Sequence, residues 1–208
     1  MINALKVVGK RMDDVKVAVI GTGAANVATI RLLLASGVSF GNIIACDSRG
    51  ILHAEREDIA QRKIEFVDKW RICQHSNAAD RRGGPAEAMR GADVCVAASK
   101  PGPGTIPKEW VRGMNKDSIL FACANPIPEI WPWEAKEAGA RIIGTGRSDF
   151  ANQINNSLGF PGIFRGVLDV RATTITDEMA IAAAEELARC AEEKGLDEEH
   201  IVPTMDNW

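Results

Sequence analysis

The stretch Val17-Ala18-Val19-Ile20-Gly21-Thr22-Gly23-Ala24-Ala25-Asn26 decides the fold of this chain. An apolar run leads into two glycines separated by one residue, and a segment with helical spacing follows over residues 24–36. Gly21 permits a tight turn, and Gly23 leaves the backbone without a Cβ where a pyrophosphate would approach. A helix that begins near Ala24 directs its unpaired N–H groups and its positive dipole end towards those phosphates. The stretch therefore predicts a strand–turn–helix unit that binds a dinucleotide; the alternative is a glycine turn that only connects strand to helix.

The third position of the glycine pattern holds Asn26, where glycine or alanine is usual. That position lies where the helix packs on the strand. An asparagine there requires either slightly wider packing or an amide that reaches a phosphate, and both interpretations stay open at this point. The predicted cofactor-binding residues of the turn are Gly21, Thr22, Gly23, Ala24, Ala25 and Asn26.

A carboxylate is expected at the end of the second strand, where it would bind the adenosine ribose hydroxyls. Asp47 stands there, directly after Ile43-Ile44-Ala45-Cys46. Its charge favours NAD because it would repel the 2′-phosphate of NADP, whereas Arg49 could pair with that phosphate. We expect NAD as the cofactor, with NADP as the alternative, and we include Ser48 with Asp47 and Arg49 among the cofactor-binding residues.

Short apolar runs recur along the chain and alternate with segments of helical spacing or composition. The predicted strands are Val15–Ile20, Asn42–Cys46, Asp93–Ala98, Ser118–Ala122 and Ala140–Gly144. The predicted helices between them are Ala24–Ser36, Ile59–Trp70, Pro85–Arg90, Pro107–Asn115 and Trp133–Ala138. Parallel strands need crossover connections, so the alternation predicts an α/β fold with a doubly wound, mostly parallel sheet of the Rossmann type.

The last third of the chain is helical in pattern. A helix is predicted to begin at Thr176-Asp177-Glu178 and to end near Lys194-Gly195. Its apolar residues recur at helical spacing at Ala180, Ala183, Ala184, Leu187, Ala188 and Ala191.

We expect one dinucleotide-binding domain over residues 1–208. Its parts would be a lead-in helix over 1–14, a Rossmann core over 15–150, and a C-terminal helical part over 151–208 that looks truncated after Trp208.

Two further strand ends belong to the edge where a cofactor lies. In the turn Ala97–Gly102, small residues leave room for the second half of a cofactor, and we predict that Ser99 and Lys100 bind it. Asn125, held extended before a proline, has an amide that can donate and accept towards a carboxylate or carboxamide. The alternatives are a proline–glycine turn and an Asx turn.

Three asparagines lie within five residues of a predicted helix at Asn152, Asn155 and Asn156. Asparagine is a poor helix former, so these side chains favour a role in hydrogen bonding over one in helix stability. The alternative is a polar turn on the surface.

Composition excludes several classes of function. Lys+Arg is 25 and Asp+Glu is 28, so there is no basic excess to bind nucleic acid or an anionic membrane. No apolar run approaches the roughly 18 residues of a membrane helix, and the first residues lack the apolar stretch of a secretory signal. The five cysteines are too widely spaced for a CxxC pair or a zinc cluster, which indicates reduced, buried thiols in a cytoplasmic protein.

Six motifs resemble, in order and in spacing, the NAD-binding domain of malic enzyme in its short prokaryotic form, and the resemblance runs from Asn3 to about Asn207. They are Asn3-Ala4-Leu5-Lys6-Val7-Val8-Gly9-Lys10, the Gly21–Asn26 turn, Cys46-Asp47-Ser48-Arg49-Gly50, Ala124-Asn125-Pro126-Ile127-Pro128-Glu129, Gly146-Arg147-Ser148-Asp149-Phe150 and Phe160-Pro161-Gly162-Ile163-Phe164-Arg165-Gly166.

The resemblance implies oxidation of malate with NAD(P) and decarboxylation of the oxaloacetate to pyruvate, with Mg²⁺ or Mn²⁺. It implies that Asn125, Asn155 and Asn156 contact the substrate carboxylates. The general-acid tyrosine, general-base lysine and metal ligands of the family lie N-terminal to the stretch that begins this chain, and the chain has no tyrosine. We therefore expect no catalytic and no metal-binding residue here.

The expected partners are malate and a separate N-terminal catalytic half, and the intact enzyme is expected to be a cytoplasmic homodimer. The chain alone is expected to bind the cofactor without turnover. Two alternatives stay open: a stand-alone NAD-binding regulatory module, and another Rossmann dehydrogenase acting on a small hydroxy acid, which would need a base within this chain.

Overall fold

Six strands form one sheet in the computed structural model, which describes residues 1–205. The strands are β1 Val17–Ile20, β2 Ile43–Asp47, β3 Gly50–Ile51, β4 Val94–Ala97, β5 Ser118–Ala122 and β6 Ala140–Thr145. Their order is β3-β2-β1-β4-β5-β6. Asn207 and Trp208, where the resemblance and the predicted C-terminal part end, lie outside the described residues.

All strand pairs are parallel except β2 with β3, which form a short antiparallel hairpin. The predicted α/β fold with a mostly parallel sheet is confirmed. The chain runs outward from β1 to β3 and then returns to the other side of β1 with β4. A crevice for a ligand is expected at the carboxyl ends of the strands where the order reverses in this way.

Nine helices surround the sheet within residues 1–205. They are α1 Ile2–Val8, α2 Ala24–Ala35, α3 Glu57–Ala60, α4 Val67–His75, α5 Pro85–Met89, α6 Lys108–Arg112, α7 Pro132–Glu137, α8 Phe160–Asp169 and α9 Asp177–Glu192. In this described part of the chain, no helix combines the length and the apolar character that crossing a bilayer requires.

Two predicted helices are wrong. The helix predicted over Ile59–Trp70 is broken, because α3 ends at Ala60 and α4 begins only at Val67. Ile64 and Val67 are 88% and 61% exposed, so the stretch has no continuous apolar face to bury.

The asparagine-rich segment is not a helix either. Gln153 forms a parallel bridge with Thr145, and Asn155 caps a single 3₁₀ turn at Asn156–Leu158 by accepting a hydrogen bond from Ser157 N. The asparagines therefore act as the competing hydrogen-bond groups that disfavour a helix. Strand β3 was also missed, because two residues are too few to form an apolar run.

The core lies on both faces of the sheet. Consecutive residues Ile119 and Leu120 of β5 point to opposite faces, and both are 0% exposed. Ile119 belongs to one buried cluster with Val19, and Leu120 belongs to a second cluster with Met89. Strands covered on both faces are apolar throughout, which is why they were recognisable as continuous runs.

The predicted C-terminal helix is confirmed as α9, with Thr176 Oγ1 accepting from Met179 N at its first turn. The predicted lead-in helix is shorter than residues 1–14, because α1 ends at Val8 with Gly9 in the left-handed conformation, and α1 packs against α9. Asn3 Nδ2 donates to the carbonyl of Ala188 at 2.7 Å, and Lys6 forms an exposed ion pair with Glu192 at 2.8 Å. The two ends of the described chain are therefore joined on one side of the sheet.

Replacing Ile119 by alanine is expected to lower the free energy of unfolding by about 2–5 kcal/mol, because it opens a cavity in a fully buried strand. The matched control is Ile64→Ala, at a residue that is 88% exposed, which should change that free energy by less than about 0.5 kcal/mol. Urea unfolding of both variants measures the difference. Equal losses would contradict the placement of the core.

Candidate functional site

Gly21 brings the ends of β1, β2 and β4 together. Its φ is +88°, and a Cβ built on it would lie 2.6 Å from the carbonyl oxygen of Ala98, directly after β4. Its N–H donates to the carbonyl of Cys46 in β2 at 3.0 Å. Only glycine tolerates both the dihedral angle and this close approach of the backbone. The turn predicted from Gly21 is therefore present and serves as the junction of three strands.

Gly23 stands at the exposed start of α2. Its φ is −86°, and a Cβ built on it would meet nothing within 4 Å. Ala24 and Ala25, the first two residues of the helix, are also exposed. The N–H groups of this first turn have no acceptor within the helix and face open space. The residues present fit a diphosphate, because bare backbone, an open cradle and a positive dipole end coincide here.

Thr22 and Asn26 hold the turn from the buried side. Thr22 Oγ1 donates to the carbonyl of Cys46 at 2.7 Å. Asn26, which is 1% exposed, donates from Nδ2 to the carbonyls of Ile20 at 3.1 Å and Gly21 at 2.7 Å. Of the two interpretations of Asn26, the structure shows an amide turned inwards to the backbone of the turn, rather than outwards to a phosphate.

Asp47, at the end of β2, is held by Arg56, a residue that sequence reasoning missed. Arg56 donates to both carboxylate oxygens of Asp47 at 3.1 and 3.0 Å and to both oxygens of Asp58 at 2.7 and 2.9 Å. The N–H of Arg49 donates to Asp47 Oδ1 at 2.9 Å. The side chain of Arg56 is only 8% exposed. The feature of the sequence that points to Arg56 is the carboxylate of Asp58, two residues further on.

The protonation of Asp47 follows from this pairing. Burial acts to raise the pKa of its carboxyl group, but the hydrogen bonds from Arg56 and from the Arg49 N–H outweigh burial and leave the pKa below its ordinary value. Asp47 is therefore an anion whose charge is already paired within the protein.

The loops that follow β4 and β5 are joined by Glu129, which is 0% exposed. Its Oε1 accepts from the N–H of Ser99 at 2.8 Å and from the Ser99 hydroxyl at 3.0 Å, and its Oε2 accepts from Ala124 N at 3.1 Å. Lys100 follows Ser99 and is exposed. A buried carboxylate that accepts three hydrogen bonds fixes the two loops relative to each other.

Two of the amides predicted to bind substrate, those of Asn125 and Asn155, contact Gly146. A Cβ on Gly146 would lie 3.0 Å from Asn125 Nδ2, so the exposed Asn125 amide packs against the bare backbone of that glycine. Asn155 Nδ2 donates to the Gly146 carbonyl at 3.2 Å. Asn156 is exposed in the next turn. The three asparagines, separated by up to 31 positions in sequence, thus lie in one region beyond β5 and β6.

Burial keeps the pKa of the Cys46, Cys73 and Cys95 thiols above its ordinary value, so these three are not activated as nucleophiles. All five are free, and Cys46, Cys73 and Cys95 are buried, as predicted; Cys123 and Cys190 are half-buried. Burial raises the pKa of the Cys46 and Cys123 thiols to about 12, so both are protonated at neutral pH. Within residues 1–205, no three His, Cys, Asp or Glu side chains are grouped in a way that could hold a metal ion.

Gly21→Ala is expected to lower the free energy of unfolding by at least about 2 kcal/mol, because alanine at this φ is strained and its Cβ would collide with the Ala98 carbonyl. Gly23→Ala, at an ordinary φ with open space, should stay within about 1 kcal/mol of the wild type. Denaturant unfolding of the two variants is the measurement. Similar losses in both would show that the turn does not depend on the contact with Ala98.

Glu129→Ala is expected to lower the free energy of unfolding by at least about 3 kcal/mol, because it leaves the N–H of Ser99, the Ser99 hydroxyl and the N–H of Ala124 without their buried acceptor. Glu185→Ala, on the exposed face of α9, is the control and should leave the midpoint of thermal unfolding almost unchanged. If Glu129→Ala unfolded at the same temperature as the control, the carboxylate would not join the two loops.

The comparisons with known proteins agree with this geometry. The family model described as the malic enzyme NAD binding domain matches residues 1–208. The bifunctional malic/malolactic enzyme of Bacillus subtilis is 45% identical over 203 residues, which cover 98% of this chain and 47% of that protein. The NADP-dependent malic enzyme of Halomonas elongata is 43% identical over 197 residues, which cover 93% of this chain and 43% of that protein.

A solved structure has the same fold over nearly the whole chain. The crystal structure of Entamoeba histolytica malic enzyme superposes with a TM-score of 0.95 at 49% identity, over 99% of this chain and 42% of that one. The chain thus spans between 42% and 47% of the length of these three relatives. With a family model that covers every residue and close relatives of that same family, this chain belongs to the malic enzyme family, in which it corresponds to the NAD-binding domain.

Proposed function

We propose that this chain is the cofactor-binding half of an enzyme that oxidises malate with NAD or NADP and decarboxylates the product to pyruvate and CO₂. The observation that carries the proposal is the open start of α2 beside Gly23, at the point where the strand order reverses. Bare N–H groups at that place suit a diphosphate, and the relatives that share the fold are named malic enzymes.

Different residues along the carboxyl edge of the sheet would bind different parts of the cofactor. The turn Gly21–Asn26 would hold the diphosphate, and Asp47 with Ser48 and Arg49 would hold the adenosine end. The predicted contacts to the nicotinamide end are Ser99, Lys100 and Asn125. This order is supported by the sheet, because β2 lies on one side of β1 and β4 and β5 lie on the other.

The substrate would lie beyond β5 and β6. The amides of Asn125 and Asn155 contact Gly146 there, Asn156 is exposed next to Asn155, and these amides can donate to the carboxylates of malate. Since Glu129 fixes the Ser99 loop to the Asn125 loop, the cofactor and the substrate would be held in one geometry. A bound nicotinamide would supply the acceptor for the hydride of malate; the residues of this chain position both reactants.

The acid, the base and the metal ligands would come from the rest of the enzyme. The chain contains no tyrosine, and more than half of each relative's length lies outside the matched region. Mg²⁺ or Mn²⁺ bound by that other half would polarise the ketone and stabilise the enolate after loss of CO₂.

One surface of this chain suits that other half. Helix α8 begins four residues after Asn156 and exposes Phe160, Phe164 and Leu168 by 49%, 54% and 72%. Large apolar side chains exposed in a row mark an interaction surface. A domain that covers α8 would also adjoin the proposed substrate amides, which is where the missing catalytic groups are needed.

The domain boundaries are part of the proposal: a lead-in segment over 1–14, a Rossmann core over 15–150 and a C-terminal part over 151–208. The homodimeric state and the cytoplasmic location of the intact enzyme also stay predictions. A stand-alone regulatory module differs in one respect that can be tested, because the full-length protein would then bind NAD(P) but would not turn over malate.

Gly23→Val is expected to weaken binding of NAD and NADP at least about 100-fold, because the side chain would fill the space left for the diphosphate. Ala184→Val, which adds a valine side chain at an exposed position of α9, should bind as the wild type does. Titration calorimetry on the full-length protein measures both, with thermal unfolding to show that each variant is folded. Unchanged binding by Gly23→Val would refute the proposed cofactor site.

A further inference from the structure

Arg147 follows Gly146 directly and lies beside the amides that are proposed to bind substrate. Its guanidinium donates from Nη1 to the carbonyl of Pro126 at 3.1 Å, and Pro126 is the residue after Asn125. The two residues are 21 positions apart, one in the loop after β6 and the other in the loop after β5. Arg147 therefore connects the loop that carries Gly146 to the loop that carries Asn125.

The other nitrogen atoms of this guanidinium hold it in one orientation. Nε donates to Asp149 Oδ1 and Nη2 donates to Asp149 Oδ2, each at 2.7 Å. A bidentate pair of this kind fixes the plane of the guanidinium as well as its position. Because Asp149 also balances the charge of Arg147, the pairing favours a geometric role over that of a cation that binds the substrate.

An aromatic cluster supports the loop after β6. The Cζ of Arg147 lies 5.6 Å from the centre of the Phe150 ring, which is within the distance of a cation–π contact. Phe150 meets the rings of Trp131 and Trp133 edge-on at 6.1 and 6.0 Å, and the two tryptophans stack at 5.0 Å. Trp131 precedes α7 and Trp133 lies in it, and α7 packs against β6. The cluster thus anchors Arg147 to a helix that covers the sheet.

Asn125 lies between two neighbours whose backbone is held by side chains. Glu129 Oε2 accepts from the N–H of Ala124 at 3.1 Å, and Arg147 donates to the carbonyl of Pro126 at 3.1 Å. The three residues that begin with Asn125 are exposed, so little packing holds this part of the loop. The direction of the Asn125 amide therefore depends on these two hydrogen bonds.

We propose that Arg147 is a positioning residue for malate, which keeps the Asn125 amide directed at a substrate carboxylate by holding the carbonyl of Pro126. The inference rests on the proposed function, in which Asn125 binds the substrate. Arg147 contacts neither reactant in this arrangement and acts only through Asn125. Since catalysis is sensitive to displacements of about 1 Å, release of this loop lowers the use of malate.

The test compares the full-length protein with Arg147→Met and Arg147→Lys. Methionine removes the charge and the hydrogen bonds. Lysine keeps the charge but lacks the planar fork that binds Asp149 through two nitrogen atoms and Pro126 through a third. Arg112→Met is the matched control, because Arg112 is an exposed arginine that pairs with Glu109 within α6.

Both Arg147 variants are expected to raise the KM for malate about tenfold or more and to lower kcat by a smaller factor. Their affinity for ADP-ribose, which lacks the nicotinamide, should equal that of the wild type because the turn Gly21–Asn26 and Asp47 are unchanged. Steady-state kinetics and titration calorimetry measure the two effects. Arg112→Met should match the wild type in both.

A double variant shows whether Arg147 acts through Asn125. Asn125→Ala removes the amide that is proposed to bind malate. Adding Arg147→Met to Asn125→Ala should change kcat/KM for malate by less than about twofold, because a positioning residue has no effect once the group that it positions is gone.

Four results would overturn the inference. A KM for malate in Arg147→Met equal to that of the wild type would show that the hydrogen bond to Pro126 positions nothing. Recovery of that KM by Arg147→Lys would show that the charge matters and the geometry does not. Effects of Arg147→Met and Asn125→Ala that multiply would show that Arg147 acts independently. Loss of ADP-ribose binding in both Arg147 variants would show that Arg147 supports the whole domain.

None of these four results would refute the proposed function, because the wild type would still turn over malate in each case. Failure of the full-length wild type to oxidise malate would refute the proposed function together with the inference.

Discussion

The approach of Gly21 to the carbonyl of Ala98 is the contact on which the rest of the site depends. Because Gly21 has no Cβ, the turn after β1 can lie directly against the end of β4. That position leaves Gly23 exposed at the start of α2, with the free N–H groups of the helix facing the crevice. Thr22 and Asn26 secure the turn from the buried side by donating side-chain hydrogen bonds to the backbone carbonyls of Cys46, Ile20 and Gly21.

Buried polar contacts also position the loops that follow β4 and β5 at the carboxyl edge of the sheet. Glu129 joins the loop that carries Ser99 to the loop that carries Asn125, and Gly146 lets the Asn125 amide lie against its backbone. The candidate groups for cofactor and substrate are thereby arranged in the protein alone. Little ordering is left for the moment of binding, which lowers the free-energy cost of assembling the reactants.

What could be predicted differs between the two partners of the ion pair at the carboxyl end of β2. The position of Asp47 was predictable because a strand of known length carries it to the edge. Its partner Arg56 was not, because the hairpin of β2 with β3 and the start of α3 bring that guanidinium back beneath the carboxylate. The charge of Asp47 by itself favours NAD, whereas in the structure that charge is paired with buried Arg56. The helix predicted over Ile59–Trp70 is interrupted just after α3, in the part of the chain that follows Arg56.

The sequence by itself determined the alternation of strands and helices, the glycine turn after β1, and which side chains follow the carboxyl ends of the strands. These follow from local properties: runs of apolar residues buried on both faces, and backbone angles that only glycine adopts freely. Tertiary structure decided which groups meet, as in Ser99 with Glu129 and Asn155 with Gly146. The first of these contacts joins residues 30 positions apart and the second joins residues 9 positions apart across a loop. Such partners are chosen only when the packing of the strands brings the polar groups out of water together.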